Sequence, residues 1–325
     1  MKICMIGDYS PNQDEGFKNI AFYLTNELSK RYELLNLDTK KVFSPRFWID
    51  IKKFNPKIIH YVPGRTIKSF MILKALAYFN NAKTIMSAFH PEIASVPKSA
   101  ITLLNPDLIL TQSNEIKDRF NNLGCRIKFL PNGADTEKFI PISQKDKEKL
   151  REKYGIDKEK FVILHVGHLI KVRNLQIFNR MQGGDNQVII IVSSHRKMNS
   201  KLYESLKTSG CIIWRGNFKN IEEIYALSDC YVFPVLEGYS ISMPLSVLEA
   251  MACNLPVITT KFEGLTTFFN EGEGLVFAEH EEELLSLIDY IKKGNTGVKN
   301  RDKVLPYSWE NIGKRLVRIY EEMTS

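Results

Sequence analysis

Short apolar runs alternate with amphipathic segments along the chain, and they fall into two series. Runs at 2–6, 33–37, 58–62, 83–88, 108–111 and 127–130 have the length and β-branched content of buried strands. Between them, segments 18–29, 66–79 and 115–123 repeat apolar positions at helical spacing. A charged stretch at 136–158, weakly helical over 143–154, then reads as a linker or domain boundary. The second series has strands at 161–166, 188–192, 211–214, 230–235, 257–259 and 275–276, with helices at 222–226, 244–252, 281–292 and 309–323. Strands alternating with helices predict an α/β fold of parallel sheets covered by helices, here as two Rossmann-like halves facing a cleft. Ligands of such folds sit at the carboxyl ends of strands, where helix N-termini point into the crevice.

Composition narrows this picture. The 325 residues are 44% hydrophobic and 25% charged, enough for two globular cores. No stretch approaches a membrane span, and the apolar run at the start is too short for a secretory signal. Five scattered cysteines without a Cys-x-x-Cys pair argue against disulfide scaffolds and zinc sites and fit a reducing cytoplasm. The net charge of +8 is uneven: residues 1–140 hold 20 Lys+Arg against 13 Asp+Glu, and the remainder 25 against 24. A basic first half suits a phosphate-bearing acceptor or an anionic membrane surface, or is a solvated surface. Segment 66–79, TIKSFMILKALAYF, is either part of such a surface or a core-facing helix with two solvated lysines. Singly dispersed basic residues without a groove-binding motif argue against nucleic acid.

The segment richest in chemistry is 230–260, CYVFPVLEGYSISMPLSVLEAMACNLPVITT. An apolar strand runs into a loop holding Gly238, Ser240 and Ser242, and Pro244 suits the first turn of the helix that follows. The helix N-terminus, with Ser242 and Leu245, offers backbone donors and a positive dipole end to a diphosphate. Glu249, inside the helix, directs a carboxylate suited to a ribose diol, which donates two hydrogen bonds.

LEAMACNLPVITT resembles the C-terminal signature of retaining GT-B glycosyltransferases of the family-4 type, the group 1 glycosyl transferases. NGADTEKF at 132–139 is similar to the segment closing that family's first domain, and LILTQSNEIKDRFNNLGCRIKFLPNG to the strand–helix–strand before it. HVGHLIKVRN at 165–174 resembles the phosphate loop opening the second domain. The resemblance covers roughly residues 2–260. It implies an acceptor domain at 1–140, a nucleotide-sugar donor domain at 141–305, and a helix at 306–325 crossing back to the first domain.

The family clamps the donor diphosphate with two basic residues one and six positions after a glycine. Here that glycine is Gly167, so His168 and Arg173 take those positions, with Lys171 a further candidate. Arg173 substitutes well for lysine, since guanidinium binds phosphate bidentately; His168 is charged only part of the time. The family's paired glutamates eight residues apart are not kept: Ile241 stands eight before Glu249. Either the longer loop returns Glu237 to the site, or backbone donors of 238–243 recognise the sugar. His90 matches a cleft histidine of the first domain, and His60 ends a comparable strand. Asp14, Glu15 and Gly16 fall in the family's N-terminal loop facing donor phosphates and acceptor, and Gly216, Asn217 and Phe218 in its base-binding turn.

The implied reaction moves a sugar from a nucleoside diphosphate to an acceptor hydroxyl with retention, by same-face attack with a diphosphate oxygen taking the acceptor's proton. The nucleotide sugar is a co-substrate, with no further cofactor and no metal expected. The acceptor is a carbohydrate or a lipid-linked one. A GT-B sugar-nucleotide epimerase and a catalytically weak binding subunit are the alternatives.

Overall fold

The computed structural model describes residues 1–9, 16–62, 64, 66–89, 98–193, 198–216, 218–236, 242–294 and 297–324. Contacts divide the chain into two units: 1–133 with 240–243 and 309–325, and 134–239 with 244–308.

The first unit carries strands β1 (Lys2–Gly7), β2 (Glu33–Asp38), β3 (Ile58–Tyr61), β4 (Lys83–Ser87), β5 (Leu108–Thr111) and β6 (Ile127–Phe129). They form one parallel sheet in the order β2-β1-β3-β4-β5-β6. The inner strands β3 and β5 are buried throughout, as central parallel strands covered on both faces must be. Helices α1 (Gly16–Ser29), α2 (Pro45–Phe54), α3 (Ile67–Asn80), α4 (Lys98–Leu104) and α5 (Asn114–Asn121) connect them. Local chemistry sets their ends. The Ser113 hydroxyl accepts from the Ile116 N–H at the start of α5, and Asn55 and Asn81 close α2 and α3 at φ 52° and 49°.

The second unit has β7 (Phe161–Gly167), β8 (Asn186–Val192), β9 (Ile212–Arg215), β10 (Cys230–Phe233), β11 (Val257–Thr260) and β12 (Leu275–Ala278), all parallel, in the order β12-β11-β10-β7-β8-β9. This is the Rossmann order, and the winding reverses between β7 and β10. Its helices are α6 (Gln144–Lys153), α7 (Phe178–Met181), α8 (Ser200–Thr208), α9 (Ile221–Leu227), α10 (Leu245–Ala252), α11 (Glu263–Thr266), α12 (Glu281–Lys292) and α13 (Asn300–Val304). The last helix, α14 (Trp309–Thr324), belongs to the first unit and packs on α1.

The charged stretch holds α6 where the weak helical pattern over 143–154 lies, fixed to the second unit by buried Arg151. Its guanidinium donates to Asp229 Oδ2 (2.5 Å) and to the carbonyls of Leu227, Lys158 and Lys160. Helix α2, absent from the sequence reading, buries only Phe47 and Ile51, one turn apart, so its apolar periodicity is weak.

Candidate active site

The reversal point of the second sheet brings together the loop after β7 and the chain after β10. The Leu236 N–H donates to the Val172 carbonyl (3.2 Å), tying the two. Arg173, closing the 3₁₀ turn Lys171–Arg173, lays its guanidinium over the Phe233 ring at 4.8 Å from the centroid. A cation–π contact of this kind fixes the direction of the guanidinium. Lys171 is exposed; His168 and Arg173 are partly buried.

Gly167 has a steric reason to precede this loop: a Cβ there would come within 2.9 Å of His165 Nε2. His165 itself is wholly buried, its Nδ1–H donating to the Val232 carbonyl (2.9 Å). Burial pushes its pKa down to about 3, so it is neutral at ordinary pH. The sequence reading gave it no role, and its role is in packing beneath the loop.

Helix α10 begins one residue later than expected: Pro244 is the cap, in extended conformation, and Leu245 is the first helical residue. Among the described residues no side chain caps this end, and the N–H groups of the first turn have no acceptor within the helix. Val247, Leu248, Ala250 and Met251 are buried, so most of the LEAM signature is core. Glu249 is only partly buried. Its Oε2 accepts from the Tyr225 phenol at 2.8 Å. Desolvation raises the Glu249 pKa to about 7 from the ordinary 4.5; the Tyr225 bond and Lys138 pull it down, and Asp135 pushes it up. Tyr231, stacked on Tyr225 at 5.8 Å, links the two halves of the site. Its phenol donates to the Val166 carbonyl (3.2 Å), bonds Ser246, and feels both Glu249 and Arg173.

The NGADTEKF segment proves to be a wall of this site. Arg301 of α13 donates to the carbonyls of Thr136 (2.9 Å), Phe139 (2.9 Å) and Ala252 (2.6 Å), locking the segment to the end of α10. Phe139 meets Tyr225 edge to face at 5.3 Å, and Lys138 pairs with Glu222 at 3.2 Å. Tyr225 and Arg301 carry no motif of their own and were invisible in the sequence, and Lys138 lies within NGADTEKF without having been given a role there.

Of the remaining candidates, Gly216 follows β9 at φ 120°, a conformation that favours glycine, and donates its N–H to the Val192 carbonyl (3.1 Å). Phe218 packs on Trp214 at 5.6 Å. Ser242 lies in the short segment grouped with the first unit. There Met243 joins a buried amide network. Gln112 Nε2 donates to Asn132 Oδ1 (2.7 Å), Asn132 Nδ2 to the Met243 carbonyl (2.7 Å), and the Met243 N–H to Gln112 Oε1 (3.3 Å). Gly16 starts α1. His90, Glu237, Asn217, Asp14 and Glu15 lie outside the described residues. His60 is wholly buried between Tyr320 Oη (2.6 Å) and Ser87 Oγ (2.8 Å), a structural position rather than a cleft residue.

Two parallel six-stranded sheets, with basic residues and a helix N-terminus at the reversal point of the second, are the architecture of the GT-B fold. Anabaena HepE, solved with UDP and glucose, matches at TM-score 0.76 and 14% identity, covering 99% of this chain and 100% of that one. Residues 146–307 match the family described as Glycosyl transferases group 1, and the chain is a glycosyltransferase of that group. A glycosyltransferase of Methanocaldococcus jannaschii without an assigned activity is 24% identical, over 94% of this chain and 82% of its own length. The UDP-Gal:alpha-D-GlcNAc-diphosphoundecaprenol alpha-1,3-galactosyltransferase of Escherichia coli is 31% identical over 59% of this chain. The chain spans half of that enzyme's length. Among the described residues no helix is long and apolar enough to cross a membrane.

Proposed function

We propose that this glycosyltransferase moves a hexose from a nucleoside diphosphate to a hydroxyl of a carbohydrate or lipid-linked acceptor, with retention of anomeric configuration. The observation that carries the reading is the meeting of Arg173, the uncapped N-terminus of α10 and the Glu249 carboxylate around the reversal of the second sheet.

In this reading the N–H groups of the first turn of α10 and the Arg173 guanidinium hold the diphosphate, with His168 and Lys171 beside them. These donors match the charge that develops as the glycosidic bond breaks, so they act more strongly on the departing diphosphate than on the bound donor. Glu249 accepts from the ribose hydroxyls, and the turn at 216–218 faces the base. His90 and Glu237 contact the transferred sugar. The acceptor hydroxyl attacks on the face the diphosphate leaves, and a diphosphate oxygen takes its proton. The donor is a co-substrate, and no resident cofactor or metal takes part. HepE is solved with UDP and the Escherichia coli relative is named for UDP-Gal, which makes a uridine nucleotide the first to try. We read the enzyme as cytoplasmic, meeting an anionic membrane peripherally and taking no nucleic-acid partner, from the basic first half and its singly dispersed cations.

A thermal-shift panel of nucleoside diphosphates and their sugars tests the donor, because a ligand bound only by the folded state raises the melting temperature. One base is expected to stabilise, and transfer followed by NMR to yield a product with the donor's anomeric configuration. No stabilisation by any nucleotide, or an inverted product, overturns the reading.

A further inference from the structure

Seven of the twelve exposed large hydrophobic side chains among the described residues lie on one run of the first unit: Phe43, Ile49, Ile67, Met71, Tyr78, Phe79 and Leu103. They sit on or beside α2, α3 and α4, which contact one another in sequence. Lys52 Nζ donates to the Phe79 carbonyl (2.8 Å), and Trp48 meets the Phe79 ring edge to face at 6.1 Å, joining α2 to the end of α3.

Helix α3 is apolar on two faces. Phe70, Leu73 and Leu76 enter the core, while Ile67, Met71 and Tyr78, separated by one and then two turns, point outward beside Lys68 and Lys74. A core-facing helix has no need of the second apolar stripe. The charge is as local as the apolar residues. Residues 39–80 hold nine Lys+Arg against one Asp, a net +8, equal to the net charge of the whole chain. The one acid, Asp50, faces Arg46 at 3.7 Å.

We propose that the α2–α3–α4 face docks on an anionic lipid bilayer, with Phe43, Met71, Tyr78 and Leu103 entering the headgroup boundary and the lysines on the lipid phosphates. Aromatic and aliphatic side chains interleaved with lysines on helices are what an interfacial face requires. A second copy of this chain is disfavoured as occupant, since two +8 faces repel. Single-stranded nucleic acid is disfavoured because Ile49, Met71 and Leu103 have no ring for a base to stack on. The proposal deepens the reading of the acceptor above by assigning the face that meets the membrane.

The test is co-sedimentation of the full chain with phosphatidylcholine–phosphatidylglycerol vesicles and with pure phosphatidylcholine vesicles, without donor or acceptor. Binding is expected to the anionic vesicles alone, to weaken with salt, and to fall about fivefold for each lysine removed in Lys68→Gln and Lys74→Gln. Met71→Ser with Tyr78→Ser is expected to weaken it as well, with an unchanged melting temperature because both side chains are exposed. No binding at low salt, equal binding to both vesicles, or full binding by the charge and serine variants overturns the proposal. Nucleotide binding, measured on the same preparations, reports separately on the donor site.

Discussion

The Tyr225 phenol donates a 2.8 Å hydrogen bond to Glu249 Oε2, so the one carboxylate that α10 turns out of the core is held from behind by a buried ring. The bond favours the ionised carboxylate, against a desolvation that holds its pKa near 7. Tyr225→Phe removes it, so the Glu249 pKa rises further and less carboxylate is available at neutral pH. Donor KM is expected to rise about tenfold at pH 7 and to recover toward pH 9, where even the shifted group ionises. A pH-independent loss would make Tyr225 a packing residue only.

Arg173 is expected to act on the leaving diphosphate. Arg173→Ala should lower kcat by about 10²–10³, the scale of losing one preorganised donor to developing charge. Arg173→Lys keeps the charge but not the fork and should recover part of it. Steady-state kinetics on both variants separates these roles, and an unaltered kcat in the alanine variant removes Arg173 from the site.

Arg301 joins three carbonyls of two segments that are far apart in sequence. Arg301→Met keeps the stem and removes the donors, leaving those carbonyls without their charged partner. A loss of about 2–3 kcal/mol in urea unfolding is expected. Because Thr136 and Phe139 flank Lys138 beside Glu249, donor affinity should fall with it.

Buried His60 predicts acid sensitivity. Its folded pKa, about 3, lies below the unfolded 6.5, so as pH falls below 6.5 the unfolded chain takes a proton that the folded one refuses. Stability is lost across that window, by about 2 kcal/mol from this residue between pH 7 and 5. Glu249 acts in the opposite direction. Its folded pKa exceeds the unfolded one, so its contribution declines as pH rises from 4.5 to 7. Urea midpoints of the wild type and His60→Gln at the two pH values isolate the histidine, whose replacement should flatten the acid slope.

Much of this was legible in the chain. The twelve strands follow apolar runs, because buried parallel strands leave no polar alternation to confuse the reading. The LEAM and NGADTEKF segments are in part structural: Leu248 and Met251 fill the core, and a Cβ on Gly133 would lie 2.5 Å from the Trp309 ring. Tyr225, Arg301 and the Gln112–Asn132–Met243 network were hidden because each acts through partners distant in sequence. Helix α2 was hidden because two buried residues make little periodicity, and α6 showed only weakly, over 143–154, because Arg151, a charged residue, is its only buried one. His60 ends a strand comparable to the one before His90, but a strand end reveals position along the sheet and not the Tyr320 ring, 260 residues away, that covers it.

The central claim is that the second unit grips a nucleoside diphosphate through α10 and Glu249. Titration calorimetry of UDP and the other nucleoside diphosphates into the wild type and Glu249→Gln tests it most directly. One nucleotide should bind the wild type with single-site stoichiometry, and the variant should bind it about 10- to 100-fold more weakly with its fold intact, the loss of one or two charge-assisted hydrogen bonds. Equal affinity in a folded variant, or a wild type that binds none of them, would contradict the account.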